Sequence, residues 1–317
     1  MGDVCPDSRG RSRPFPYTVN NVGDGRDPPH PLKGEKYMRG RSRFAVFTVT
    51  VVSTMILSCS SVNDAIRTFF LPDEDEIAMG NKFSKEIEAD NTNYPPYTGD
   101  PRVSGYIDSL GQTIAAVQKD WTSSLLKFKF SIIKNDTMIN AFAVPGGHVY
   151  LYTGLLLAAE NEAQVAGVIA HEIAHITKRH SADMLVKQNG LAIVNSMIFG
   201  TDESSIGVLA GIIGNLTFLK FSRENEYEAD SCAVAYTKTA GMNPQGMSQF
   251  LGILLKKYGE ESTRILEPVA TATSTHPKVS KRIEEVNGII QRSATSASDT
   301  TRDLNSVRYA AIKALIK

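Results

Sequence analysis

Three of the six histidines of this chain fall in one ten-residue stretch, HEIAHITKRH, residues 171–180. Imidazole is the commonest metal ligand among side chains, so their spacing matters. On an α-helix at about 100° per residue, His171 and His175 lie about 40° apart on one face, and both rings can reach one ion. His180 falls about 180° round from His171. It reads as a solvated residue at the helix end, where positive charge beside Lys178 and Arg179 suits the dipole. Glu172 completes H-E-x-x-H. In zincins that glutamate takes the proton of the attacking water and passes it to the leaving amine. Val165, Val168, Ile169, Ile173 and Ile176 make the segment apolar. Two histidines and a carboxylate there are costly to bury unless something satisfies them. One Zn2+ per chain is the expected cofactor. Two histidines with a carboxylate also suit Fe(II), but a helical H-E-x-x-H with its own base favours zinc.

A catalytic zinc takes a third protein ligand and keeps one position open. The richest candidate stretch is SRENEYEADSCAVAY, 222–236, read as a helix. Glu226 and Asp230 are four apart and share a face. One can bind the metal while the other accepts a histidine N–H. Glu224 and Glu228 form a second such pair on another face. The bland alternative for any of the four acids is a solvated surface carboxylate.

The elements that must carry these residues are mostly helical. Helices are expected near 73–89, 101–118, 160–180, 182–198, 204–219, 223–239, 244–258, 279–291 and 302–316. LLKFKFSIIK, 125–134, alternates and reads as a strand, and His148–Tyr152 reads as a second after the tight turn Pro145-Gly146-Gly147. The fold class is α+β, mostly helical, with a small antiparallel sheet beside the active-site helix.

The N-terminal part has another character. Residues 1–37 are rich in proline and glycine without apolar periodicity, and are expected to be disordered or a mis-assigned extension. From Met38, three arginines precede the 14-residue uncharged run Phe44–Leu57, which ends in Ile56-Leu57-Ser58-Cys59. That suits a signal peptide, with Cys59 resembling the lipidated cysteine of a bacterial lipobox; the alternative is an ordinary secretory signal or a short anchor helix. The domain reading is 1–37 extension, 38–59 signal segment, 60–292 catalytic domain, and 293–317 Ser/Thr-rich linker with a last helix. Acylation would tether the chain to a membrane without a spanning helix, and Ser60 would favour the outer membrane of the periplasm. Formal net charge is zero, so nothing points to nucleic acid. Three scattered cysteines, Cys5, Cys59 and Cys232, suggest no internal disulfide.

HEIAH, SRENEYEAD and STHP together resemble the gluzincin family of zinc metallopeptidases that includes HtpX and the CAAX prenyl endopeptidase. The likeness is greatest to periplasmic lipoprotein members without a repeat domain. The resemblance covers roughly residues 75–290. It implies a zincin-like metalloprotease domain with His171, His175 and Glu226 as metal ligands, Asp230 as the acid behind them, and Glu172 as base. His276 matches a family histidine near the active site, implying oxyanion stabilisation or gating; alone it is a loop histidine before Pro277. NAFAVPGGHVYLYTGLL resembles the family's strand beside the cleft, so an edge strand at His148, Val149, Tyr150 and Leu151 would pair with an extended polypeptide substrate. IGVLAGIIGNLTFL, 206–219, is too short to span a membrane and reads as a buried helix or a flap. The implied activity is zinc-dependent endopeptidase cleavage of extended or misfolded envelope proteins. The alternative is a chaperone-like or latent assembly factor that rarely cleaves.

Overall fold

The computed structural model describes residues 71–189, 221–260, 278–293 and 306–316 of the 317. The first helix, α1 (Asp73–Ala89), opens on four acidic residues, which suit the positive end of the helix dipole. Its inner face carries Met79, Phe83 and Ile87 into the core. α2 (Pro101–Ala115) starts on the Asp100 cap, whose carboxylate accepts from Arg102 N. Then come β1 (Lys129–Ile133), β2 (Ala141–Val144), a single tight turn at Pro145–Gly147, and β3 (His148–Tyr152). Gly146 and Gly147 have φ of 78° and 102°, backbone that only glycine adopts without strain.

The sheet order is β1-β3-β2. β2 pairs antiparallel with β3, Phe142 opposite Tyr150, whereas β1 runs parallel to β3. The expected antiparallel sheet is therefore mixed, because the chain passes through β2 before returning beside β1. The expected edge position of His148–Leu151 is also corrected. β3 is the central strand, hydrogen-bonded on both sides and buried throughout. The edges are β1 and β2, and β1 is partly covered: Tyr97 N donates to Ile132 O, and Lys134 N to Pro95 O. Phe142 stacks on Tyr150 with centroids 4.9 Å apart, which fixes the β2–β3 register.

A short α3 (Thr153–Ala158) leads to α4 (Glu162–Thr177), capped by Asn161, whose side chain accepts from Gln164 N. Every residue from Gln164 to Thr177 is buried. α4 is the central helix, packed against α2, β2, α6 (Arg223–Thr239) and α7 (Gly246–Tyr258). The α4–α7 approach depends on glycine: a Cβ at Gly246 would sit 1.9 Å from Ala163 O. α4 ends at Thr177; Arg179 has φ 59°, and α5 (His180–Asn189) starts afresh. α6 opens with a reciprocal cap between Ser222 and Asn225. α8 (Val279–Ser293) packs on α6 and α7. α9 (Ser306–Lys313) is stitched to the core by Tyr309 OH, which donates to Leu156 O, and by Lys313 Nζ, which donates to Ala159 O.

Cys232 on α6 is fully buried. Among the described residues no helix is long and apolar enough to cross a membrane. The segment 206–219, His276, Cys59 and the whole signal region lie outside them.

His148 supplies a stability prediction. Its Nε2 is 3.0 Å from Asn81 Oδ1. Burial, helped by nearby Lys129, pushes its pKa from 6.5 down to about 4. The unfolded chain thus binds the proton more readily between those values. Stability is full above pH 6.5 and falls by up to about 3 kcal/mol as pH drops towards 4. In His148→Gln, the slope of unfolding free energy against pH in that window is expected to flatten. An unchanged slope would mean that another group carries it.

Candidate metal centre

α4 presents His171 and His175 on one face, and α6 crosses it with Glu226 and Asp230 on the facing side. All four residues are at most 2% exposed. His171 Nε2 and His175 Nε2 lie 3.0 Å apart, and the Glu226 carboxylate is 3.6 Å from each. One atom from each of the three residues fits within 4.8 Å of the others. A tetrahedral zinc with bonds of about 2.0–2.1 Å holds its nitrogen ligands about 3.3 Å apart. The triangle is of that size. Two imidazole nitrogens pointed at each other, beside a buried carboxylate, need a cation or protons between them. The donor set of two nitrogens and one carboxylate oxygen matches a catalytic zinc site.

Behind this triangle each histidine has a support. His171 Nδ1 lies 2.9 Å from Asp230 Oδ1, close in distance though the ring N–H points off the line to that oxygen. Burial alone would lower the His171 pKa, but the Asp230 carboxylate outweighs it and the net direction is upward. Proton and metal therefore compete for this ring, and acid weakens metal binding. His175 Nδ1 lies 2.9 Å from His180 Nδ1, and His180 Nε2 lies 3.3 Å from Glu228 Oε2. Phe221 stacks on the His175 ring with centroids 4.0 Å apart and planes 17° apart, fixing its tilt.

Two residues that the sequence reading leaves out of the site are central here. Arg282 on α8 is fully buried and clamps Asp230 from two sides, Nε donating to Oδ2 at 2.8 Å and NH2 to Oδ1 at 2.7 Å. Its NH1 lies 2.9 Å from Glu226 Oε2. Burial opposes the Arg282 charge, but Asp230 and Glu226 hold it firmly protonated. Burial would likewise raise the Asp230 pKa, yet Arg282 brings it down to about 2. The signal was present: Val279, Arg282 and Val286 occupy one buried stripe of α8, and an arginine on an apolar stripe requires a buried partner.

His180 is the second, and its expected place is corrected. It is 3% exposed rather than solvated. The extrapolation at 100° per residue fails because α4 stops at Thr177 and the left-handed turn at Arg179 folds the chain back. Arg179 is itself pinned, Nε donating to Glu76 Oε2 at 2.5 Å and NH2 to Leu71 O at 2.7 Å, with its guanidinium over Trp121. Of the two acidic pairs, Glu226 and Asp230 face the histidines; Glu224 is exposed, and Glu228 is half-buried beside His180. Glu172 is 5% exposed on α4, within electrostatic reach of Arg282.

Residues 101–290, more than half of the chain, match the profile of peptidase family M48. The chain belongs to peptidase family M48. M48 is a metalloprotease family, so a metal cofactor is implied and the donor set fits it. Over 223 residues the chain is 31% identical to the beta-barrel assembly-enhancing protease of Yersinia pestis, covering 67% of this chain and 43% of that one. The protein of the same name from Escherichia coli K12 is also 31% identical, over 66% of this chain and 42% of its own. The mitochondrial metalloendopeptidase OMA1 of Schizosaccharomyces pombe is 30% identical over 182 residues, 57% of this chain and 51% of its own. The chain thus spans less than half the length of these bacterial M48 relatives. The resemblance to HtpX and the CAAX prenyl endopeptidase holds at the level of the family, since these relatives carry other names.

Proposed function

We propose that this M48 chain is a zinc-dependent endopeptidase in which His171, His175 and Glu226 hold one Zn2+. The supporting observation is the convergence of two histidine Nε2 atoms and one carboxylate, at 3.0 and 3.6 Å, in a buried site. When bound, zinc polarises the scissile carbonyl and acidifies water. The protein's own groups do the rest. Asp230, clamped by Arg282, keeps the proton of His171 on Nδ1 and so frees Nε2 for the ion. Glu172 takes the proton of the attacking water and delivers it to the leaving amine. His276, by family resemblance alone, is assigned to oxyanion stabilisation or gating.

The substrate strand moves from β3 to β2. Tyr152 N donates to Asn140 O, so Asn140 and Tyr152 form a hydrogen-bonded pair of the β2–β3 ladder. Such pairs alternate along antiparallel strands. Ala141 and Ala143 therefore turn their N–H and C=O groups away from β3, along the edge beside α4. Ser181 Oγ, 3.4 Å from Ala143 O, marks that outer side. An extended polypeptide adds there by backbone hydrogen bonding, which reads shape more than side chains and suits unfolded segments. Proline at 143 would remove one outward N–H without touching the β3 ladder. Ala143→Pro is expected to lower kcat/KM about tenfold, the worth of one hydrogen bond, with metal content unchanged. Parent-like kinetics would exclude this edge.

The natural substrates are taken to be extended or misfolded envelope proteins, in keeping with the names of the bacterial relatives. The location is the periplasm, with Cys59 lipidated at the outer membrane, residues 1–37 outside the mature chain, and 60–292 as the peptidase domain followed by the 293–317 tail. The function is tested by following cleavage of an unfolded outer-membrane β-barrel protein by the full chain, before and after chelation and after zinc is returned. Cleavage that is lost and restored is expected. Binding without cleavage by the zinc-loaded chain would favour a chaperone-like or latent factor.

A further inference from the structure

We infer that His180 is a positioning residue for the metal centre, fixing the tautomer and tilt of His175 through a hydrogen-bonded chain that ends on Glu228. The inference rests on the metal-site reading above. To offer Nε2 to an ion, His175 must carry its proton on Nδ1, and that proton needs a buried acceptor. The His175 Nδ1 atom faces His180 Nδ1 at 2.9 Å. His180 can accept there only if its own proton is on Nε2, and that nitrogen faces Glu228 Oε2 at 3.3 Å. With His180 neutral, one direction of donation satisfies both contacts: His175 donates to His180, and His180 donates to Glu228. The reverse direction would protonate His175 Nε2 and close the site to metal.

The far end is anchored as well. Lys178 Nζ lies 3.7 Å from Glu228 Oε1 and donates to Asp120 at 2.8 Å. The hydrogen bond from His180 holds the Glu228 carboxyl below its ordinary range, outweighing the opposite effect of burial. Asp230 and Arg282 support His171 from one side, and His180 and Glu228 support His175 from the other. The left-handed turn at Arg179 is what returns His180 to this place.

The test uses the full chain with Zn2+ alone, competed against a chromophoric chelator, and Co2+ substitution read by its visible spectrum. His180→Phe keeps a ring but loses both hydrogen bonds. His180→Asn places an amide oxygen where Nδ1 stood and keeps the bond from His175. His180→Phe is expected to bind zinc about 10–100-fold more weakly, and His180→Asn to stay within about threefold of the parent. The Co2+ bands are expected to shift in His180→Phe and to return towards the parent in His180→Asn. Equal affinity in His180→Phe and the parent would overturn the inference. Equal weakness in both variants would also overturn it, since side-chain shape rather than the hydrogen bond would then matter. Should His180→Phe not fold, Glu228→Leu tests the chain from its other end; about three- to tenfold weaker zinc is expected, and parent affinity would overturn the role. A parent chain that binds no zinc would remove the metal-site reading itself, an outcome distinct from the other three.

Discussion

Glu172→Gln is expected to leave zinc binding at one equivalent per chain while lowering kcat by about 10²–10⁴-fold, the usual worth of a positioned general base. The substitution is nearly isosteric. Glu172 sits one residue after His171 on α4, whose backbone is fixed by close packing on α2, α6 and α7. It is buried at 5% exposure and is not one of the three side chains whose atoms converge as a metal group. Metal retention with lost turnover therefore separates a base from a ligand. Metal content by elemental analysis and single-turnover cleavage of an unfolded protein are the two readouts. A variant that cleaves within tenfold of the parent would mean that another group moves the proton. A variant that loses zinc would place Glu172 in the metal shell.

Arg282→Leu is expected to cost about 3–5 kcal/mol of stability, the range for removing one partner of a buried ion pair. Arg282 is fully buried, and two acids depend on it: Asp230 through two hydrogen bonds, and Glu226 through a 2.9 Å charge contact. Without the guanidinium, burial would drive the Asp230 carboxyl towards its neutral form, and the support of His171 would weaken with it. The parent's behaviour in acid follows from the same pair. The folded-state pKa of Asp230, about 2, lies below its ordinary 3.8. Its stabilisation is full above pH 3.8 and is lost as pH falls towards 2. Denaturant unfolding of parent, Arg282→Leu, Asp230→Asn and the double variant isolates the pair. Strong non-additivity is expected, with the double variant more stable than the sum of the single losses. A loss below about 1 kcal/mol in Arg282→Leu would show that the acids are satisfied without it.

Local signals were easy to read from the sequence, and returns of the chain were not. The bounds 73–89 and 223–239 coincide with α1 and α6 because an acidic first turn and a serine cap mark where those helices start. The pairing of His171 with His175 needs only helical geometry, and the structure brings Glu226 to them. β2 was missed because Ala141-Phe142-Ala143-Val144 is buried on both faces and shows no alternation. The central place of β3 depends on which strands flank it, and no single strand's residues reveal that. His180 was misplaced because one left-handed residue, Arg179, ends the regular geometry on which the extrapolation relied. Arg282 was overlooked although its place on the buried stripe of α8 signalled an internal partner.

The most direct test of the metal assignment is anomalous diffraction at the zinc edge from crystals of the zinc-loaded chain. One strong peak is expected about 2.0–2.2 Å from His171 Nε2, His175 Nε2 and a Glu226 oxygen. A zinc-loaded crystal with no peak among these three side chains, or with its peak on other residues, would contradict the assignment.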